Sequence, residues 1–228
     1  MIDSMRKLEK AAVSCGVLPF FANSIEGFSV EEMAAPGALF GESVADYGCW
    51  SWKGPVIQEM TTVYGKFFNR KAGFVALDLL PDFLNYRRCA YPVEHGSQEE
   101  KILALIRQHE GLTSTRLRKL LDAGKKPKGS RGIPGIGAAK PKRNSLEGPL
   151  QRLQMGGWIL IADFEYKISA RGERYGWGVA LYSTPEIWLE RGFGIPGRSP
   201  GGSFARLVEE IMHRNPGIAP DLLIKLLR

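Results

Sequence analysis

The sequence predicts an α+β fold of tandem winged-helix units, each a helix-turn-helix with a β-hairpin wing, followed by a C-terminal helical pair. Three observations predict it. Apolar residues recur at helical spacing in short segments closed by Gly or Pro. Strand-type runs bracket a polar turn at 63–77 and again at 158–183, each time directly after a helical segment. The last helix pair repeats the spacing of an earlier one, which suggests an internal repeat.

In chain order, Met5 to Cys15 is helical, with Leu8, Ala12 and Cys15 on one face. FSVEEMAA is a second short helix capped by Ser29, and CWSWKGPVIQEM (49–60) a third that opens near Pro55. VYGKFF and FVAL form a hairpin about the turn Asn69-Arg70-Lys71-Ala72-Gly73, and Leu79 to Arg88 is a helix or helical turn. Residues 1–90 thus form the first unit, with CAYPVEHGS (89–97) as the boundary.

The central unit, 97–191, opens with a helix over 98–109 in which Ile102, Leu105, Ile106 and His109 share a face. Thr113 or Ser114 caps a second helix bearing Leu117, Leu120 and Leu121. EGPLQRLQMGG is the third helix, with Leu150 and Leu153 inward and Arg152 and Gln154 opposite them. WILIADFEYKI, the turn SARGER and YGWGVALYS make the wing. Residues 202–228 align with the first two helices of this unit: Gly111 matches Gly217, and Leu117, Lys119 and Leu120 match Leu223, Lys225 and Leu226. They form a partial third unit.

Composition narrows the function classes. The chain of 228 residues is 44% hydrophobic and 24% charged, ordinary globular values that exclude wholesale disorder. At this length the core needs no disulfide or metal staple. Three cysteines without a CxxC spacing read as reduced, small apolar residues. No run of about 18 apolar residues is present, and MIDSMRKLEK lacks the apolar stretch of a secretory signal, so a cytoplasmic protein away from membranes is expected.

The net charge is +7, from 31 Lys and Arg against 24 Asp and Glu. The segment 124–143, GKKPKGSRGIPGIGAAKPKR, holds seven cations and no acid: Lys125, Lys126, Lys128, Arg131, Lys140, Lys142 and Arg143. The rest of the chain is therefore neutral. Its Gly and Pro exclude a helix or a central strand, so the segment is a long basic loop between the second and third helices. Such a cluster is relieved by an anionic partner, and phosphates of double-stranded DNA fit it. The alternative for the loop is a solvated linker.

Further nucleic-acid contacts are expected at Arg152 and Gln154 on the third helix, Arg171 and Arg174 at the wing tip, and Arg70 and Lys71 at the first hairpin. Lys53, beside Trp52 on the first unit's third helix, completes the set. The histidines His95, His109 and His213 lack metal-ligand spacing, and no phosphate-binding or hydrolase motif occurs, so neither metal nor small-molecule cofactor is expected.

WSWKGPVI, YGKFFNRKAGFVALDLLPDFLNYRR, LQRLQMGGWILIADFEYK and YGWGVALYSTPE resemble bacterial winged-helix proteins related to the AlkZ-type (YcaQ-like) DNA glycosylases. In those enzymes tandem winged helices bind DNA and excise alkylated or cross-linked purines. The resemblance implies a link to DNA repair and a Gln-apolar-Asp (or Gln) motif after a Gly-aromatic-Val start, with a later Arg. Here Gly73-Phe74-Val75 leads to Ala76 at the Gln position and Asp78 at the acid, with Arg87 and Arg88 following. Alanine can neither position water nor stabilise a sugar cation, so Asp78 reads better as a cap or surface acid than as a catalytic group. The leading expectation is a DNA-binding protein. An active glycosylase and a protein-interaction scaffold are the alternatives.

Overall fold

The computed structural model describes residues 1–41, 48–123, 145–172, 174–190, 194 and 196–228, apart from the side chains of 174–177. The fold is α+β. Among the described residues it has ten α-helices and two three-stranded antiparallel sheets. No helix among them is long and apolar enough to cross a membrane.

The first unit runs α1 (Met5–Cys15), β1 (Val17–Pro19), α2 (Val30–Met33), α3 (Cys49–Gln58), β2 (Thr62–Phe68), β3 (Lys71–Ala76) and α4 (Leu80–Ala90). Ser29 caps α2 by accepting from the Glu32 N–H at 3.1 Å. α3 departs from expectation: it begins at Cys49, with Pro55 inside it. The carbonyls of Ala38 and Leu39 accept from the N–H groups of Cys49 and Trp50, giving the helix an earlier start than proline would. The hairpin turn also closes on two residues, Asn69 and Arg70, both at positive φ (46° and 68°), so Lys71, Ala72 and Gly73 belong to the strand. Gly65 and Gly73 face each other across the hairpin, and a Cβ on Gly73 would lie 2.7 Å from the Leu18 carbonyl oxygen.

The second unit repeats this order: α5 (Gln98–Gln108), β4 (Leu112–Thr113), α6 (Ser114–Ala123), α7 (Glu147–Met155), β5 (Leu160–Ile168), β6 (Arg174–Ser183) and α8 (Pro185–Trp188). The sheets match as well, ordered β1-β3-β2 and β4-β6-β5, with the short strand beside the hairpin's second strand. The final pair, α9 (Pro200–Arg214) and α10 (Pro220–Leu227), packs on the first unit. Leu207, Ile211, Leu223, Leu226 and Leu227 join the core of Leu8, Phe20, Phe74 and Phe83. Asp82 fastens α4 to α9, accepting from Ser203 Oγ (2.6 Å) and Arg206 Nε (3.1 Å). A smaller core, built on Ile102, Ile106, Leu117, Leu150 and Leu153, holds α5, α6 and α7 together.

The units meet through their third helices and hairpins. α7 packs on β2, α3 packs on β5, and β2 packs on β5. This explains the nearly continuous apolar run of β2, which is buried along almost its whole length on both faces, whereas β5 is buried only over its first three residues.

Candidate nucleic-acid interface

Both third helices spend a face on the partner unit's hairpin, which changes what they can offer a ligand. The ladder between β2 and β3 shifts register between Gly65 and Phe68, and the Lys66 N–H leaves it. Gln154 Oε1 on α7 accepts that N–H at 3.0 Å, while Gln154 Nε2 donates to the Leu150 carbonyl at 3.1 Å. Gln154 is 1% exposed. It is thus withdrawn from the set of outward contacts, because β2 covers the flank of α7 on which it stands.

The mirror contact lies on α3. The shift in β5 between Ile161 and Asp163 takes Ala162 out of the ladder, and its carbonyl accepts from Gln58 Nε2 at 2.8 Å. Lys53, one turn earlier, is likewise withdrawn. It is 3% exposed, donates to the Trp50 carbonyl, and sits 3.7 Å from the Trp50 ring centroid and 4.6 Å from that of Phe164. Burial pulls its ammonium down to about 7. Trp52 is half-buried and packs on the first core.

The remaining predicted contacts stay at the surface where the structure describes them. Arg152 is exposed on α7, its Nε 3.4 Å from Glu99 Oε1 on α5. The Arg70 carbonyl accepts from Gln151 Nε2 at 3.4 Å, so the first hairpin's tip abuts α7 and brings Arg70 close to the helix bearing Arg152. Lys71 is exposed and donates to the Ala22 carbonyl at 2.9 Å. Arg171 is exposed in the second hairpin's turn, where its N–H donates to Ser169 Oγ at 3.2 Å. Arg174 opens β6, but its side chain lies outside the described residues, as do Lys125, Lys126, Lys128, Arg131, Lys140, Lys142 and Arg143. The segment bearing those seven cations leaves the end of α6 at Ala123 and returns just before α7 at Ser145.

The histidines sit apart: His95 contacts Glu100 at 3.1 Å, His109 caps α5, and His213 lies in the last turn of α9. Among the described residues no cluster of His, Cys, Asp and Glu could hold a metal. Cys15 and Cys49 are buried and Cys89 is exposed.

A protein-family model for AlkZ-related proteins matches residues 2–228. The chain belongs to the AlkZ-related family. No curated protein and no solved structure matches it. Ala76, which the resemblance sets at the place of the glycosylase motif's Gln, is 1% exposed in the first core's sheet. Asp78, just beyond β3, is held by the Arg214 guanidinium of α9 through Nη2, with Nη1 at 3.5 Å from Oδ1. Arg87 is fully buried: Nη2 donates to the Phe67 carbonyl and Nη1 to the main-chain oxygen of Arg228 at 3.0 Å. Arg88 pairs with Glu186 at 2.6 Å and lies over the Trp158 ring. Neither arginine points at Asp78 through any bond, so the three do not form one constellation.

Proposed function

We propose that this AlkZ-related protein is a tandem winged-helix protein that grips double-stranded DNA by its phosphates in a process linked to DNA repair. The helix–strand–helix–helix–hairpin order, present twice with matching sheet order, supports reading each unit as a winged helix. Family membership supports the link to repair. The observation that carries the reading is the acid-free run of seven cations at 124–143 on an otherwise neutral chain, inserted between two helices that pack together in one small core. Arg152, Arg171, Arg174, Arg70 and Lys71 are the other cations proposed to meet phosphates. With third-helix faces given over to the junction between units, binding of this kind is set by backbone contacts more than by base edges.

The test is a salt titration of duplex binding followed by fluorescence anisotropy. The seven loop cations alone, each meeting a phosphate, predict a log K against log[salt] slope of roughly −6. Replacing the seven loop cations with Ser removes several units of slope while leaving the thermal transition in place. A slope near −1 for the wild-type chain rejects the reading.

Family membership also favours a second reading, a glycosylase acting on alkylated or cross-linked bases with Asp78 as its acid. The ion pair with Arg214 and the alanine at 76 give it less support. Abasic sites formed by the wild type on alkylated DNA, and lost in Asp78→Asn, would establish it.

A further inference from the structure

The two units differ most in charge at their second helix. In α2 the acids Glu31 and Glu32 are tied to the local backbone, accepting from Ala22 N–H at 2.7 Å and Gly27 N–H at 2.9 Å. In α6, at the same place in the second unit, Arg116, Arg118 and Lys119 are all exposed. A groove of about 310 Å³ runs between the end of α5 and this helix, lined by His109, Gly111, Leu112, Arg116, Lys119 and Leu120. Arg118 stands on another side of α6, where it lines a second hollow with Lys101 and Asp122.

We propose that α6, rather than α7, is the helix against which the DNA backbone lies, with a phosphate seated in the groove between His109 and the side chains of Arg116 and Lys119. The proposal rests on the DNA-binding reading above and names the surface it uses. Three observations converge. α7 gives Leu150, Leu153 and Gln154 to the interior and its next flank to β2, which leaves it Arg152, already opposite Glu99. α6 carries Arg116, Arg118 and Lys119 against the single acid Asp122, and in the sequence it directly precedes the run whose cations begin at Lys125. The carboxylate nearest Arg116 is Glu165, at 3.8 Å with both side chains largely exposed, a contact that contributes little and that a phosphate can replace. A guanidinium offers a phosphate two parallel N–H donors, and the groove adds the Lys119 ammonium and the His109 ring beside it.

The experiment uses the full chain and a labelled 20-base-pair duplex over a KCl series. Arg116→Ser with Lys119→Ser is expected to reduce the magnitude of the log–log slope by about 2, at about 0.9 per lost contact, and to weaken binding at least tenfold at low salt. Arg118→Ser, on the other side of α6, is expected to keep the wild-type slope. Glu165→Gln frees Arg116 and is expected to tighten binding, a readout independent of how the double variant folds. An unchanged slope in the folded double variant, or an equal loss in Arg118→Ser, overturns the groove while DNA binding by the wild type stands. Absence of wild-type binding overturns both readings.

Discussion

At the junction between the units, α7 meets β2 and α3 meets β5 by one device, a helix glutamine filling the hydrogen-bonding gap left by a strand irregularity. The two contacts differ in what surrounds that glutamine. Gln154 is sealed from solvent and bonded at both ends of its amide, in a neutral setting. Gln58 is exposed, and the buried polar group beside it is a lysine packed between two aromatic rings. The difference teaches that the hydrogen bonds of Gln154 are neutral and fully paired, whereas the α3 contact buries an amine whose charge depends on pH. It also shows why residues that look like DNA-reading groups in the sequence serve docking here.

The largest effect should come from the sealed contact. Gln154→Leu keeps the volume but strands the Lys66 N–H in the interior, so a loss of about 1–3 kcal/mol is expected. Urea unfolding followed by tryptophan fluorescence measures it. A change below about 0.5 kcal/mol would mean that the bulge finds water instead and that the contact is less closed than its burial indicates.

How far this junction could be foreseen depends on the distance in sequence over which its signals act. α1 and α5 are legible because an apolar stripe with a clear stop is a local pattern, and Ser29 is legible as a cap for the same reason. β1 and β4 escape notice because three and two residues are too short to show alternation. Gln154 reads as an outward polar residue because nothing near it in the chain announces β2, which lies 88 positions away in the bond to Lys66. One signal was available: a hairpin strand apolar on both faces, as in TVYGKFF, needs a cover on each side. Lys53 is misjudged for the same reason, since Phe164 comes from the other unit. The basic segment is legible in the sequence as charge, whereas the groove on α6 is not, because it forms only where the end of α5 packs beside that helix.

The middle effect tests the charged contact. Burial places Lys53 at about 7, below its ordinary 10.5. Between those values the unfolded chain binds the proton that the folded chain has released, so stability rises with pH, and the penalty is fully present below pH 7. Integrating over one group titrating at 7 gives a gain of about 1.4 kcal/mol from pH 6 to pH 8. Lys53→Met, which keeps the apolar stem, should flatten that interval and leave α7 untouched. Parallel urea midpoints for wild type and variant across pH 6 to 8 would show that the ammonium is well solvated, and the two junctions would then not differ in charge.

The smallest effect separates the shared device from its surroundings. Gln58→Ala removes the donor to the Ala162 carbonyl, but solvent reaches this glutamine and can replace the bond, so a loss of about 0.5 kcal/mol is expected, well under that of Gln154→Leu. If the glutamines act at separate contacts, the double variant should lose the sum of the single losses to within about 0.5 kcal/mol. A larger shortfall or excess would mean that the α7–β2 and α3–β5 contacts open together through the β2–β5 packing between them. That coupling would make the pH response of Lys53 felt at Gln154 as well, and the neutral junction would inherit the sensitivity of the charged one.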